Sequence, residues 1–312
     1  MNEHPKISIV ICTRNRAESL RATLKSLAAV TAPRDLMAEL LVVDNGSADH
    51  TRTVVNEVPL RNVNVRYVNE PLAGLSNARN TGLREARGEI ILFTDDDVRF
   101  PSRWIEGMSR PMLNGSADAV CGGVVFPGEI KALLSQPPFL SRRSWFASTE
   151  EIDSNEPVRM VGANMAFHRR VLQRIPKFDV ELGAGALGFG EESLFSYQLL
   201  AAGYKLIGVF DVPVEHHFDC SRLTREGMLD MARKTGRTYA FLDYHWNHLK
   251  LRWVFVELIL WRLRQARTRC FECLGRSARG YDRAIWEAQK LAYYHEYLVQ
   301  RRRPFKYSRP GQ

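Results

Sequence analysis

The sequence has no long apolar run and few cysteines. The longest apolar stretch near its C-terminal end, Trp253–Trp261, contains Glu257 and falls well short of the roughly 20 residues that a membrane-spanning helix needs. The five cysteines are an odd number without the regular spacing of a disulfide framework. The first apolar run, Ile7–Cys12, begins too early and is too short for a signal peptide. These absences predict a cytoplasmic protein that does not cross a bilayer.

Acidic residues are scarce at the C-terminal end of the chain. From Lys250 onward there are 15 Lys and Arg against 5 Asp and Glu, although the net charge of all 312 residues is only +9. A localised basic segment favours contact with phosphates, either of nucleic acid or of an anionic membrane surface. The overall composition, 45% hydrophobic and 25% charged, is that of a folded protein and excludes a disordered chain or a collagen-like fibre.

Short apolar runs rich in β-branched residues alternate with polar helical stretches in the first part of the chain. The predicted strands, with a helix in each interval, are Ile7–Cys12, Glu39–Asp44, Val63–Val68, Ile90–Thr94 and Ala119–Phe126. This alternation is typical of βαβ units, whose strands pair in parallel. The sequence therefore predicts an α/β fold with a mostly parallel sheet flanked by helices.

The second half of the chain is less regular. Residues 127–157 contain a Pro-Pro pair, several serines and three large aromatic residues, which predicts a long loop over the sheet, either a substrate lid or a surface excursion. Beyond Leu223 the pattern is helical to the end. We therefore expect an α/β domain over residues 1–223 and a basic helical extension over residues 224–312.

Three consecutive carboxylates stand at the predicted end of a buried strand. Asp95, Asp96 and Asp97 directly follow the apolar run Ile90–Phe93. Ligands of open α/β sheets bind beyond the carboxyl ends of the strands, and clustered like charges are costly there unless something neutralises them. A divalent cation with a bound polyphosphate would do so. The alternative is an exposed acidic turn.

Polar residues also follow two other predicted strands. Asp44 and Asn45 come after the run Leu40–Val43 and precede a tight turn, so that Asp44 is either a ligand contact or a turn cap. The first strand is followed by hydroxyl, amide and guanidinium groups, those of Thr13, Arg14, Asn15 and Arg16. Such groups beside a helix N-terminus suit a base or a phosphate. Three converging strand ends of this kind predict a nucleotide pocket.

Five segments, taken in order, resemble the motifs of the family 2 glycosyltransferases. They are Thr13–Arg16 (TRNR), Val42–Ser47 (VVDNGS), Gly74–Asn80 (GLSNARN), Phe93–Asp97 (FTDDD) and Gly190–Leu194 (GEESL). The resemblance spans about Ile7 to Thr224. It implies a GT-A fold, which is Rossmann-like, a nucleotide-diphosphate sugar as donor, and inversion at the anomeric carbon. It would make residues 1–223 the catalytic domain.

The resemblance assigns roles to the strand-end residues. Asp44 corresponds to the position that accepts a hydrogen bond from the nucleotide base, most often uracil, and Asn45 lies beside it. Asp95 corresponds to the first carboxylate of the DxD motif, near the ribose or the sugar and beside the metal, and Asp97 to the second, which holds Mg²⁺ or Mn²⁺. Asp96, between them, is placed with the donor contacts. Oxygen ligands suit either cation.

Three further residues take roles from the resemblance. Arg79 corresponds to a position that faces the donor, and the alternative is a surface arginine paired with an acidic neighbour. Asn164 lies in a segment that lines the sugar and acceptor side, and the alternative is a core strand. His216, preferred over His217, corresponds to a histidine that approaches the metal or the diphosphate, and the alternative is a structural histidine.

Glu191 and Glu192 are the candidates for the catalytic base, which must take a proton from the acceptor hydroxyl. They follow a run of glycines and open the predicted helix Glu191–Ala202. The family usually carries Glu-Asp here, with the second residue as the base, so the resemblance assigns that role to Glu192. A glutamate at that position departs from the family by one methylene. Glutamates in a first helical turn also stabilise the helix dipole, which is the structural alternative.

The resulting hypothesis is a metal-dependent inverting transferase of cell-surface polysaccharide synthesis. It would move a sugar, with UDP as the expected nucleotide, to a hydroxyl of a glycan or lipid-linked glycan. The alternative enzyme is a sugar-phosphate nucleotidyltransferase, but the loop Thr13–Arg16 lacks the glycines which that class needs. The other alternative is a non-catalytic nucleic-acid-binding protein. The acidic pocket would repel a phosphate backbone, so we expect no nucleic acid partner.

The basic segment after Leu249 combines tryptophans and leucines with arginines. That mixture suits a helix lying at a membrane interface, and would hold the protein peripherally at the inner face of the plasma membrane. The alternative is a helix packed on the rest of the protein with a solvated basic face.

Overall fold

The structure, a computed structural model, describes residues 5–31, 36–60, 63–150, 152, 158–273 and 280–308. Its strands are β1 Ile7–Thr13, β2 Ala38–Asp44, β3 Val63–Asn69, β4 Ile90–Thr94, β5 Val98–Arg99, β6 Ala119–Val125, β7 Asn164–His168 and β8 Leu206–His216. Its α-helices are α1 Ala17–Leu27, α2 Thr51–Glu57, α3 Leu75–Glu85, α4 Trp104–Leu113, α5 Gly128–Leu134, α6 Glu191–Ala201, α7 Arg225–His245, α8 Val254–Cys273 and α9 Gly280–Gln300.

The eight strands form one sheet in the order β3-β2-β1-β4-β7-β6-β8-β5. Strands β1 to β4 pair in parallel, as the alternation of strands and helices predicts, and β6 pairs in parallel with β8. Strand β7 runs antiparallel to both of its neighbours, and β5 runs antiparallel to β8. The predicted α/β class is confirmed, and the sheet is parallel except for β7, which lies beside β4, and β5, which lies at one edge.

Helices cover both faces of the sheet. Ile7, Ile9 and Ile11 of β1 pack in one apolar cluster with Leu20 of α1, whereas Val10 packs in a second cluster with residues of α3 and α6. Successive side chains of a strand point to opposite faces, and a sheet covered on both faces needs continuously apolar strands. This requirement explains the unbroken apolar runs of β2 and β4, whose residues are all buried.

Two segments differ from the sequence prediction. Residues 127–157, predicted as a loop, include α5 and a 3₁₀ segment at Leu140–Phe146, while residues 151 and 153–157 lie outside the described part. Strand β8 lies outside the predicted strands of the first part of the chain, and it pairs with β5 through His216. Asp211 and Pro213 interrupt the apolar pattern of β8, and the register shifts there, since Gly122 pairs with Val209 and Val124 pairs with Val214.

Two compact units make up the described chain. The first consists of residues 1–132, 143–181 and 191–218 and contains the sheet. The second consists of residues 133–142, 182–190 and 219–312 and contains α7, α8 and α9, with an apolar cluster of Ala240, Tyr244, Val254 and Tyr297. The boundary after residue 223 stays a prediction. No helix in the described ranges has both the length and the apolar character that crossing a bilayer requires.

Candidate functional site

The carboxyl ends of β1, β2 and β4 lie side by side in the first unit. The parallel register aligns Thr13 with Asp44, and Ile11 with Thr94. Parallel pairing therefore brings the polar residues that follow these three strands to one edge of the sheet, which is the edge where α/β proteins bind ligands. The convergence predicted from the sequence is present.

Asp95, Asp97 and His216 form a cluster at this edge. Each offers one ligand atom, and these atoms lie within 4.8 Å of one another. Asp97 Oδ1 lies 3.2 Å from His216 Nε2, a spacing close to the distance of about 3 Å that separates adjacent ligands on one octahedral Mg²⁺-sized cation. Strand β8 supplies His216 from a position more than 100 residues away in the chain.

The orientation of His216 is set by its second nitrogen. Nδ1 lies 3.0 Å from the main-chain carbonyl oxygen of Phe146, which can only accept, so Nδ1 carries the proton of the neutral ring. Nε2 then faces Asp97. Metal-binding histidines are typically oriented in this way, and the rings of Phe126 and Phe218 lie beside the imidazole.

Asp97 has the properties expected of a cation ligand. It is 1% exposed, and among the described residues its Oδ1 has no hydrogen-bond partner. Burial alone would raise the pKa of Asp97, but His216 in its protonated form, together with Arg16, outweighs burial and holds the pKa of Asp97 below its ordinary value. Asp97 is therefore a carboxylate with one buried oxygen left for a ligand, and the three residues fit a divalent cation.

Asp96 faces away from this cluster. Its Oδ2 accepts a 2.6 Å hydrogen bond from Thr13 Oγ1, and its Oδ1 lies 2.8 Å from Arg16 Nη1. The same guanidinium reaches Asp97 Oδ2 through Nη2 at 2.7 Å. Burial raises the pKa of Asp96 to about 7, against the opposing effect of Arg16. Asp96 thus joins the loop after β1 to the loop after β4, and Arg16 bridges two neighbouring carboxylates.

Arg79 holds the two glutamates at the start of α6. It is 3% exposed, and its Nη1 lies 2.5 Å from Glu191 Oε1 and 3.9 Å from Glu192 Oε2. Its Nη2 lies 3.8 Å from Asp95 Oδ1. The alternative of a surface arginine is wrong, because Arg79 is buried and pairs with a residue 112 positions further along the chain. A Cβ at Gly162 would collide with its guanidinium.

The two glutamates differ in what they contact. Glu191 is 3% exposed and is the direct partner of Arg79, whereas the side chain of Glu192 remains 21% exposed. Burial and the negative charge of Glu191 raise the pKa of Glu192 above its ordinary value, and Arg79 only partly offsets them. Glu192 is therefore the more exposed member of the pair, and its carboxylate binds a proton more tightly than that of an ordinary glutamate.

Asp44, the last residue of β2, and Asn45, which follows it, form hydrogen bonds within the protein. Asp44 Oδ1 accepts from the Ser47 main-chain N–H at 2.9 Å, and its Oδ2 accepts from the Tyr67 hydroxyl at 2.7 Å. The turn-cap interpretation of Asp44 is thus present in the structure, and the second lone pair of each oxygen remains for a ligand. The Asn45 side chain donates to the carbonyl oxygens of Glu70 and Leu72, which makes it a loop-positioning residue.

The loop after β1 is tied to the loop after β2. Asn15, at a positive φ of 53°, accepts a hydrogen bond from the Ala48 main-chain N–H at 2.7 Å and donates its own N–H to Ser47 Oγ at 2.8 Å. Of the four residues predicted to contact the donor here, Thr13 bonds to Asp96 after β4 and Asn15 bonds to the loop after β2. Arg14 is exposed and Arg16 is part exposed.

Asn164 lies in the core, which corrects the expected contact with the sugar. It is 0% exposed; its Oδ1 accepts from Trp104 Nε1 at 2.9 Å, and its Nδ2 donates to the Gly123 carbonyl oxygen at 2.9 Å. A Cβ at Gly122 would collide with its amide. The core-strand alternative describes this residue, because both polar groups of the side chain are committed to buried protein partners.

The Asn164→Ala variant is expected to lower the free energy of unfolding by about 3 kcal/mol, since it leaves the Trp104 N–H and the Gly123 carbonyl buried without partners. Urea unfolding followed by circular dichroism measures this change. Asn64 of β3 is exposed, and the Asn64→Ala control should change stability by less than about 0.5 kcal/mol. Equal effects of the two substitutions would contradict the structural role of Asn164.

Sequence reasoning missed three contributors to the site. Tyr67 holds Asp44, the Phe146 carbonyl orients His216, and Gly162 leaves room for Arg79. Tyr67 follows the polar and apolar alternation of β3 and carries no local signal. The other two act through a backbone group and a missing side chain, which no residue-type pattern reveals.

The family model of glycosyl transferase family 2 matches residues 8–175, more than half of the chain. The matched range contains the ends of β1, β2 and β4 and the three aspartates after β4. The chain belongs to glycosyltransferase family 2. Glu191, Glu192 and His216 lie beyond the matched range, so the structure alone connects them with Arg79 and Asp97.

One curated relative and two solved structures show what this family 2 transferase is similar to. The succinoglycan biosynthesis protein ExoM of Rhizobium meliloti is 33% identical over 124 residues, which are 39% of this chain and 40% of ExoM. The match thus spans less than half the length of that relative. This part of the chain is therefore similar to a protein named for succinoglycan biosynthesis.

The solved structures confirm the predicted GT-A fold. The mannosyltransferase PcManGT of Pyrobaculum calidifontis, in complex with GDP-Man and Mn²⁺, has a TM-score of 0.62 at 18% identity and covers 95% of this chain and 88% of PcManGT. S. aureus TarS 1–349, in complex with UDP-GlcNAc, has a TM-score of 0.52 at 15% identity and covers 95% of this chain and 92% of that one.

Proposed function

We propose that this family 2 glycosyltransferase moves a sugar from a nucleotide diphosphate to a hydroxyl of a glycan or lipid-linked glycan, with inversion, in cell-surface polysaccharide synthesis. One observation carries the proposal. A carboxylate cluster with an unsatisfied buried oxygen, on Asp97, lies beside a separate pair of glutamates, and Asp95 and Arg79 connect the two. Transfer needs two such groups, one for the leaving diphosphate and one for the incoming hydroxyl.

Asp97, Asp95 and His216 would hold a divalent cation. Bound there, a Mg²⁺ or Mn²⁺ ion would supply positive charge to the departing diphosphate. A nitrogen ligand favours Mn²⁺ over Mg²⁺, because Mg²⁺ prefers oxygen and water ligands. Arg16 bridges Asp96 and Asp97 and is itself part exposed, so it adds a second positive charge at the same edge.

The donor would lie across the carboxyl ends of β1, β2 and β4. Asp44, whose oxygens each keep a lone pair, would accept a hydrogen bond from the base, with UDP as the first nucleotide to test. Arg14 and Arg16 would face the phosphates. The donors named with the two similar structures are nucleotide sugars, GDP-Man for PcManGT and UDP-GlcNAc for TarS, which supports this class of donor.

Glu192 would act as the base. Its carboxylate takes the proton from the acceptor hydroxyl while that oxygen bonds to the anomeric carbon, and the bond from this carbon to the diphosphate breaks on the opposite face. Glu191 would be a positioning residue, since its ion pair with Arg79 keeps the guanidinium close to Glu192. Membership of family 2 and the loop without glycines both speak against a nucleotidyltransferase.

The test is calorimetric titration of the full chain with UDP and with GDP, each with and without Mn²⁺. We expect one nucleotide to bind in a Mn²⁺-dependent manner, and we expect His216→Gln to weaken this binding at least tenfold because one of three protein ligands is lost. His217 is half-buried and pairs with Glu215, which makes His217→Gln a matched control expected to bind normally. Metal-independent binding, or equal loss in both variants, would contradict the assigned metal site.

A further inference from the structure

The outward face of α8 is apolar. Phe255, Ile259 and Leu263 are 63%, 58% and 63% exposed, and Trp253, directly before the helix, is 71% exposed. Val256 lies among them and is also exposed. Single exposed apolar residues are ordinary on soluble proteins, but a contiguous patch of them marks an interaction surface.

The opposite face of α8 is held inside the second unit. Val254 packs with Tyr297 of α9, Leu258 is 9% exposed, and Thr268 donates a 2.7 Å hydrogen bond to Glu287 of α9. At about 100° per residue, the buried positions and the exposed apolar positions centre about 150° apart around the helix. The fold therefore anchors α8 by one face and directs an apolar stripe away from that face.

Arginines border this stripe on both sides. By the same helical spacing Arg262 lies along one border, and Arg264 and Arg267 lie along the other; all three are exposed. Among the described side chains of α8, Glu257 is the one acidic group, and it is half-buried toward the anchored side. An apolar centre with cationic borders is the pattern of a helix that lies in the interface of a bilayer.

The combination of charged and apolar side chains on this face of α8 distinguishes between three possible binding partners. A second copy of the chain, docked through the same surface, would place arginines against arginines. A nucleic acid would pair with the arginines but would leave Phe255 and Leu263 against a phosphate backbone. An anionic bilayer accepts both parts, since its headgroups pair with arginine and its acyl boundary accepts apolar side chains.

We propose that the outward face of α8, from Trp253 to Arg267, binds the surface of an anionic lipid bilayer with the helix lying in the membrane plane. This binding goes beyond the proposed function and does not depend on it, because no residue of the donor site takes part. It would bring a lipid-linked acceptor and the enzyme to the same surface.

The contribution of the apolar side chains to membrane binding is tested by sedimentation of the full chain with lipid vesicles at low salt. The vesicles consist of phosphatidylcholine, with and without phosphatidylglycerol. We expect at least tenfold tighter binding with phosphatidylglycerol. The double substitution Ile259→Asp with Leu263→Asp should weaken this binding at least tenfold, because two apolar contacts are lost and two negative charges are added. Leu113→Asp with Leu200→Asp changes two exposed leucines of α4 and α6 and should bind as the wild type does.

The electrostatic part is tested by replacing the three border arginines, Arg262, Arg264 and Arg267, with glutamine. We expect at least tenfold weaker binding, whereas the same change of net charge at the exposed Arg87, Arg103 and Arg110 should have less than a threefold effect. Calorimetric titration with UDP, GDP and Mn²⁺ should be unchanged in all these variants, so a failure of lipid binding and a failure of the proposed transfer are distinguishable.

Three outcomes would overturn the proposal. The first is equal vesicle binding by the wild type and the α8 variants. The second is no vesicle binding together with duplex DNA binding that the arginine substitutions abolish, which would make nucleic acid the occupant. The third is no vesicle binding together with a dimer, measured by light scattering, that the Ile259 and Leu263 substitutions dissociate.

Discussion

Replacing Asp97 by asparagine is expected to lower the rate of sugar transfer by roughly 10³-fold, which corresponds to the loss of about 4 kcal/mol of stabilisation of the departing diphosphate. Asp97 is the buried carboxylate that faces His216 with an oxygen lacking any hydrogen-bond partner among the described residues. An amide oxygen in its place carries no charge and binds a divalent cation weakly. Steady-state transfer rates across a Mn²⁺ series, with the donor selected by calorimetry, measure the loss.

The control for Asp97 is Asp211→Asn. Asp211 is exposed on β8, the strand that carries His216, and its substitution should leave the transfer rate within about twofold of the wild type. Circular dichroism and thermal unfolding should show that the Asp97 variant is folded. A folded Asp97→Asn enzyme that keeps its Mn²⁺-dependent rate would refute the role assigned to Asp97.

The Glu192→Gln substitution is expected to lower the transfer rate by about 10²- to 10⁴-fold, the usual contribution of a general base. Glutamine preserves the shape of the side chain but cannot accept the proton of the acceptor hydroxyl. Donor binding should be retained, which calorimetric titration of the variant measures. The exposed Glu89 provides a matched Glu→Gln control with no expected effect. Wild-type turnover of the Glu192→Gln variant would show that Glu192 is not the catalytic base.

The pH profile gives an independent test of the same base. Only the deprotonated carboxylate accepts a proton, so a raised pKa of Glu192 makes kcat/KM rise with pH through a midpoint well above the ordinary value of 4.5. Glu191 contributes to that shift through its charge, and Glu191→Gln should therefore move the rising limb to lower pH. Burial raises the pKa of Asp96 to about 7, and the hydrogen bond and ion pair of Asp96 are to Thr13 and Arg16. If the Glu191 substitution does not shift the rising part of the pH profile, the titrating group would be Asp96 and not Glu192.

Much of the site could be predicted because it depends on local patterns. The apolar runs of β1, β2 and β4 are continuous since both faces of those strands are buried, and parallel pairing brings the residues after them to one edge. Asp44 and Asp95–Asp97 were therefore predicted to converge from strand ends alone. Glu191 was predicted at the start of a helix, and α6 begins at that residue.

The orientation of each predicted side chain depended on distant partners. Asp96 and Asp97 are neighbours, yet one faces Thr13 and the other faces His216. Asn164 has a donor and an acceptor that would suit a sugar equally well, but Trp104 and the Gly123 carbonyl occupy both. Trp104 belongs to α4 and Gly123 to β6, and sequence spacing does not predict that either of them contacts Asn164.

The sequence by itself determined the α/β class, the family and the edge of the sheet at which polar residues gather, because burial and parallel pairing impose patterns that repeat along the chain. Only the tertiary structure decided that Arg79 pairs with Glu191, that His216 faces Asp97, and that α8 exposes its apolar stripe. Each of these depends on which surfaces are already occupied by residues far away in the chain. That occupancy is a property of the packed molecule and not of any segment of it.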